Sequence, residues 1–192
     1  QFTTAQASGS YHIRMGASSL SFGIRAGVFS WRIDKDKLQY ENSSDPASLM
    51  NASNSVSPNF DAGIFYNGKN LFGGVSAFNL TEPVFFTSVS GNGIETGNKL
   101  KRHFFAIAGY RIRLNQNLMI RPSVLVKYTD GAPVNIDGNI AFVLKERFHF
   151  AATYRSSSMA SVMFEMYIND KIRFGYAFDY TFNDLKNYAK NM

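Results

Sequence analysis

The chain has 192 residues, a formal net charge of +6 and no cysteine. The absence of cysteine excludes disulfides, thiolate metal sites and a cysteine nucleophile. The positive charge is scattered and forms no lysine and arginine block, so it does not favour a nucleic-acid partner. No apolar run approaches the roughly 18 residues of a transmembrane helix.

Ten β-strands are predicted, and the connections between them alternate in length. The predicted strands are 2–14, 17–32, 60–67, 70–79, 101–114, 118–128, 136–145, 148–156, 161–168 and 171–182. Short turns follow the first, third, fifth, seventh and ninth strands, and longer connections follow the others. The two longest loops, 33–59 and 80–100, are polar and rich in serine and asparagine, and the second also contains several glycines. This alternation is typical of a single up-and-down antiparallel β-barrel domain over residues 1–192.

From residue 104 to 182, nearly every even-numbered strand residue is aliphatic, aromatic, alanine or glycine, and most charged strand residues are odd-numbered. Because successive side chains of a strand point to opposite faces, the predicted sheet has an apolar even face and a charged odd face. Charged residues expected in a hydrated lumen are Arg111, Arg113, Arg121, Lys127, Asp137, Lys145, Arg155, Glu165, Arg173 and Asp179. Tyrosines on the even face suit the aromatic girdle of a transmembrane barrel. A soluble barrel with the apolar face inside remains an alternative.

The end of the chain, residues 183–192, is polar and does not read as an alternating strand. An open sheet edge in lipid leaves backbone groups unpaired, which costs several kcal/mol for each group. We therefore expect further strands beyond both ends, so that the chain is part of a larger barrel of roughly 14 strands.

No catalytic or metal-binding motif stands out. His12, His103 and His149 are far apart, and none belongs to a pair with the spacing of metal ligands. A dyad of Ser123 with His103 or His149 has no supporting motif. The acidic residues of the charged face could be paired catalytic acids, but we interpret them as ion-pair partners of its cations. We predict that the protein is not an enzyme and uses no metal or cofactor.

Several short strings occur in order along almost the whole chain. They are Ser21-Phe22-Gly23 with Gly27; Asp61-Ala-Gly63 to Tyr66; Phe72-Gly73-Gly74-Val-Ser76 with Asn79-Leu80 and Pro83; Arg102-His103 leading to Gly109-Tyr110; Leu118 to Pro122-Ser123 and Lys127-Tyr128; Gly131-Ala132-Pro133 with Asp137 and Asn139; Tyr154-Arg155 with Ser157; and Gly175-Tyr176-Ala177 with Asp179 and Leu185. Together they resemble the PorP/SprF family of outer-membrane proteins in the type IX secretion and gliding motility machinery of Bacteroidetes.

The resemblance implies a bacterial outer-membrane barrel without enzymatic activity. It implies a role in secreting or anchoring surface proteins such as adhesins through protein–protein contacts. The implied partners are other type IX secretion and gliding components, the C-terminal domains of secreted surface proteins, and outer-membrane lipid. No family binding residue transfers to a position of this chain. The alternative function is an outer-membrane solute channel whose cationic lumen favours anions.

Overall fold

The computed structural model describes residues 2–31, 55–89, 95–156, 159–169 and 171–182, and their regular elements are all β-strands. The strands are β1 (Phe2–Met15), β2 (Ser18–Trp31), β3 (Ser55–Asn67), β4 (Leu71–Phe78), β5 (Val84–Val89), β6 (Glu95–Lys99), β7 (His103–Tyr110), β8 (Ile112–Arg113), β9 (Leu118–Thr129), β10 (Asn135–Leu144), β11 (Phe148–Arg155), β12 (Met159–Tyr167) and β13 (Arg173–Thr181). Within these ranges, no helix is long and apolar enough to cross a membrane.

Eleven strands form one sheet in the order β1-β2-β3-β4-β7-β9-β10-β11-β12-β13, with β8 paired to β9 beside this path. Strands that follow one another in the chain are therefore neighbours in the sheet, as in an up-and-down meander. Between β4 and β7 the chain departs from this path and forms a separate sheet of β5 and β6. The predicted all-β antiparallel architecture is confirmed. The main sheet is consistent with a barrel, although it is not closed within the described residues.

Three predicted boundaries need correction. The predicted strand 101–114 is interrupted at Arg111, which lies between β7 and β8. Strand β3 begins inside the predicted loop 33–59, and the predicted loop 80–100 contains β5 and β6. Residues 32–54, 90–94 and 183–192 lie outside the described residues, so the rest of those predictions stays untested.

The two faces of the sheet differ most clearly on β10. Phe142, on the even face, is 41% exposed, whereas the neighbouring Val143, on the odd face, is 3% exposed. Phe104 and Phe174 on the even face are also exposed. Among the described residues, the buried hydrophobic side chains are Phe72, Ala141 and Val143. The even face thus does not pack into a dry core, which is what a soluble barrel would require.

The chain divides into two compact units. Unit 1 consists of Gln1–Tyr11, Phe22–Gly63 and Ser76–His103, and unit 2 of His12–Ser21, Ile64–Val75 and Phe104–Met192. Strands β1 to β4 contribute residues to both units. The assignment of 1–192 to a single domain remains a prediction.

Asparagine side chains and left-handed residues form the short turns of unit 2. The side-chain oxygen of Asn115 accepts hydrogen bonds from the backbone N–H groups of Asn117 and Leu118, at 2.8 and 2.9 Å. Such side-chain bonds to the backbone are the usual reason for asparagine in turns. Lys145 and Glu146, between β10 and β11, both have positive φ, at 52° and 57°. The backbone N–H of Arg147 donates to the oxygen of Leu144 at 3.1 Å, so Lys145 and Glu146 are the central residues of a β-turn, and positive φ at both is the type I′ pattern.

Candidate functional site

Asp61, in the middle of β3, is the centre of a buried polar cluster in unit 1. It is 4% exposed. Its Oδ1 accepts hydrogen bonds from the backbone N–H of Asn79 at 2.8 Å and from Nδ2 of Asn59 at 3.2 Å. Its Oδ2 accepts a hydrogen bond from Nε of Arg25. Because a buried carboxyl group without hydrogen-bond partners is unfavourable, these three donors are what permit Asp61 to be buried.

The same cluster determines how the chain leaves β4. Asn79 follows β4 with a φ of 57°, a left-handed conformation that asparagine tolerates better than most residues. The side-chain amide of Asn79 donates to the backbone oxygen of Lys101 at 3.2 Å, and its oxygen accepts from Asn59 at 3.2 Å. The hydroxyl of Thr81 donates to the backbone oxygen of Pro58 at 2.8 Å. We call Arg25, Asn59, Asp61, Asn79 and Thr81 the ribbon base.

Strands β5 and β6 extend from the ribbon base as an antiparallel pair, which we call the ribbon. Its register pairs Thr87 with Gly97 and Ser88 with Thr96, and it shifts between Val84 and Phe86. Beyond the last pair, the backbone N–H of Leu100 donates to the oxygen of Pro83 at 3.0 Å. The ribbon is therefore connected by hydrogen bonds to the segment that the ribbon base holds.

A charged group lies where the ribbon meets its base. The Nζ of Lys99 donates to Glu82 at 2.8 Å, and Nε of Arg102 lies 3.8 Å from the other oxygen of that carboxylate. The hydrogen bond from Lys99 holds the pKa of Glu82 below its ordinary value. Nε of Arg102 also donates to the backbone oxygen of Leu80 at 3.2 Å. Two cations thus accompany one acid at this position.

The predicted charge network in unit 2 is densest around Asp137. This residue of β10 is 5% exposed and lies between β9 and β11. Lys127 of β9 donates to its Oδ2 at 2.6 Å. Arg155 of β11, its direct cross-strand neighbour, donates from Nε to Oδ1 at 3.0 Å and from Nη2 to Oδ2 at 3.2 Å. One carboxylate therefore joins three consecutive strands.

Two further predicted cations have acidic partners in unit 2. Nη1 of Arg173 on β13 donates to Glu165 on β12 at 3.2 Å. Nη2 of Arg113 lies 3.5 Å from Glu146, and both side chains are exposed. Glu146 was not among the predicted residues, because it belongs to a turn and not to a strand.

The other predicted charged residues are distributed over the odd face and its turns. The guanidinium of Arg111 donates to the backbone oxygen of Gly68 at 2.9 Å and to the side-chain oxygen of Asn67 at 2.7 Å. It also stacks over the ring of Phe72, with 4.8 Å to the ring centroid, and so clamps the turn between β3 and β4. Lys145 lies in the turn after β10. Arg121 is paired in register with Ala141, and Asp179 with Ser161. That these residues line a lumen remains a prediction.

Sequence reasoning did not find the ribbon base. The charged residues predicted from the sequence all follow His103 in the chain, so Arg25 and Asp61 are not among them. A signal was nevertheless present, since Asp61 and Asn79 both stand in the strings that resemble the PorP/SprF family.

A comparison with protein-family models shows the family of this chain. Residues 1–192 match the model described as "Type IX secretion system membrane protein PorP/SprF". The chain belongs to the PorP/SprF family. Comparisons with curated proteins and with solved structures gave no match. Family membership and the all-β antiparallel sheet together identify the protein as an outer-membrane component of the type IX secretion system.

Proposed function

We propose that this protein holds partner proteins at the outer membrane and thereby helps to secrete or anchor surface proteins such as adhesins. In this proposal its partners are other type IX secretion components and the C-terminal domains of secreted surface proteins. It acts through protein–protein contacts and carries out no chemical reaction.

The observation that carries this proposal is the ribbon on its base. Strands β4 and β7 are neighbours in the sheet, and antiparallel neighbours need a connection of only a few residues. Here the connection instead contains β5 and β6, and two groups of β3 hold its first residues, the buried side chain of Asp61 and the backbone oxygen of Pro58. Burying polar groups is unfavourable unless each is hydrogen-bonded. The hydrogen-bonded buried groups of the ribbon base therefore support a function in which the ribbon is held in one orientation to contact a partner protein.

The two faces of the sheet support the membrane part of the proposal. The exposed even face, with side chains such as Phe142 and Phe174, suits contact with outer-membrane lipid. On the odd face, Asp137 and Glu165 engage Lys127, Arg155 and Arg173, which lowers the field that these cations present to a passing anion. This pairing favours an anchoring role over an anion channel.

A complementation experiment tests the proposal. A strain that lacks the protein receives either the full-length wild type or a variant in which residues 84–99 are replaced by a short Asn-Gly turn. We expect the variant to reach the outer membrane and to lose most surface display, as measured by protease shaving of intact cells. The matched control replaces Lys145 and Glu146 with Asn-Gly and should retain surface display. Full display by the ribbon variant would contradict the proposal.

A conductance measurement separates the anchor from the channel. Purified full-length protein is inserted into planar lipid bilayers, and its single-channel current is recorded in asymmetric salt. An anchor gives no large, steady current. A large anion-selective current would support the solute channel instead.

A further inference from the structure

We propose that β5 is a docking edge, to which an extended segment of a partner protein adds as a third strand of the ribbon. This inference rests on the proposed function, because it specifies how the ribbon holds a partner. Strand addition uses backbone hydrogen bonds for affinity and side chains for selectivity.

The backbone of the ribbon provides the first argument. Within the described residues, β5 and β6 pair only with each other. About half of the backbone N–H and C=O groups of each strand therefore point away from the other strand. A hairpin of two strands is at best marginally stable in water, and a third strand stabilises it. An unpaired edge is a template for such a strand.

The sequences of the two strands indicate which edge is used. Strand β6, Glu95-Thr-Gly-Asn-Lys99, contains two charged residues and a glycine, which are features that discourage pairing at an edge. Strand β5, Val84-Phe-Phe-Thr-Ser-Val89, contains no charged residue, proline or glycine. Its irregularity is confined to Val84 and Phe86 at the end near the base. Within the part of the chain that the structure describes, residues 86–89 therefore form an edge with one free side, and their sequence has a high preference for β structure.

Charge at the ribbon base indicates the kind of partner segment. Lys99 and Arg102 are half-exposed, and both lie at Glu82, which is less exposed. Lys101 also acts electrostatically on Glu82, so the cations among the described residues outnumber the acid at this end of the ribbon. A complementary segment is apolar along β5 and carries acidic residues at the end that lies next to the ribbon base.

The ribbon base orders the chain next to the docking edge before a partner binds. The hydrogen bond that the backbone N–H of Asn79 donates to Asp61 and the one that the hydroxyl of Thr81 donates to the backbone oxygen of Pro58 hold the chain just before β5. Ordering a loop during binding reduces affinity, and an edge that is held beforehand avoids part of this loss.

Hydrogen exchange tests where a partner segment binds. The full-length protein is placed in lipid nanodiscs and mixed with a synthetic peptide of alternating valine and threonine with aspartates at one end. We expect protection of alternate backbone amides between Phe86 and Val89, and no new protection on the outward amides of β6. Protection of β6 alone, or binding without protection of β5, would overturn the docking edge.

A peptide with lysines in place of the aspartates tests the charge of the segment and should bind more weakly. Equal binding of the two peptides would overturn the acidic end of the proposed segment.

Paired proline variants separate strand addition from damage to the ribbon. Adjacent N–H groups of a strand point to opposite edges, so one of Thr87→Pro and Ser88→Pro removes an outward donor and the other removes a donor to β6. The outward variant should lower the affinity for the peptide by about tenfold or more while the amides shared by β5 and β6 stay protected. The matched control is proline at the paired position of β6, Gly97→Pro or Thr96→Pro, which removes an outward donor on the other edge and should leave binding unchanged.

A second probe distinguishes this inference from the proposed function. The probe is the purified C-terminal domain of a surface protein secreted by the same bacterium, and its binding to nanodiscs is measured for wild type and variants. Binding that is reduced by the outward β5 variant supports both ideas. Equal binding to wild type and variant would overturn the docking edge and leave the proposed function standing. Absence of binding by the domain and by the peptide would overturn both.

Discussion

Two buried aspartates, one in each unit, are stabilised in different ways. Asp61 in unit 1 accepts hydrogen bonds from a guanidinium, a side-chain amide and the backbone N–H of Asn79. Among the described residues, Asp137 in unit 2 accepts hydrogen bonds only from charged side chains, those of Lys127 and Arg155. The two residues have almost the same exposure, 4% and 5%.

The difference in donors corresponds to a difference in what each aspartate holds in place. The backbone donor ties Asp61 to a residue beyond the end of β4, so this aspartate controls the path of the chain outside the main sheet. The donors of Asp137 lie on the two strands beside it, so this aspartate favours one register of β9, β10 and β11. Loss of Asp61 should therefore disturb the ribbon, and loss of Asp137 should disturb the sheet.

The largest effect is expected for Asp61→Ala. The change leaves Nδ2 of Asn59 and the N–H of Asn79 without their buried acceptor and removes the ion-pair partner of Arg25. Because each unsatisfied buried donor costs about 1–3 kcal/mol, the loss of unfolding free energy should be about 3–5 kcal/mol. Urea unfolding in lipid bilayers measures this, and hydrogen exchange should show faster exchange in β5 and β6. Asp61→Asn keeps an acceptor oxygen and should lose less. A loss below about 1 kcal/mol would mean that the ribbon base does not need its carboxylate.

The next largest loss of unfolding free energy is expected on the face of β10 that lies opposite Asp137. Phe142→Arg places a charge on the even face of β10 and should cost about 2–4 kcal/mol if that face meets lipid near the bilayer centre. Lys145→Gln, in the turn after β10, should be close to neutral. Refolding into lipid vesicles measures both changes. Equal effects would contradict the assignment of the even face to lipid.

Asp137→Asn should have a smaller effect than Asp61→Ala. Asparagine keeps one acceptor oxygen, which alanine does not, and the side chains of Lys127 and Arg155 are 27% and 32% exposed, so water can solvate part of the charge that the change leaves unpaired. We expect a loss of about 1–3 kcal/mol of unfolding free energy, with hydrogen exchange of the ribbon unchanged. Asp179→Asn on β13 is the control and should have little effect. Faster exchange in the ribbon would show that the two aspartates do not act separately.

The smallest effect is expected in the turn between β10 and β11, and it is a gain. Glu146→Gly relieves a left-handed conformation that is unfavourable for residues other than glycine. Its ion pair with Arg113 is exposed and contributes little. The net gain should be about 0.5 kcal/mol, because glycine also raises the entropy of the unfolded chain. Glu146→Ala removes the ion pair and retains the strained conformation, so a similar gain for alanine would rule out this explanation.

Much of the main sheet was predictable because the alternation of apolar and charged side chains along a strand can be read from a short stretch of sequence. The predicted ranges 118–128, 148–156 and 161–168 agree with β9, β11 and β12 within two residues at each end. The ribbon escaped prediction because β5 and β6 are short and stand among polar loop residues. The interruption at Arg111 also escaped prediction, because the contacts of this side chain lie about 40 residues away at Asn67 and Gly68.

The sequence by itself determined the fold class, the two faces of the sheet and the family, because periodicity and ordered motifs are properties of the chain alone. Only the tertiary structure decided which side chains of those faces meet. Asp61 and Asn79 are 18 residues apart, and they come together because β3 and β4 pair in the sheet. The exposure of Phe142 beside the burial of Val143 also depends on the neighbouring strands, since solvent access is a property of the assembled sheet.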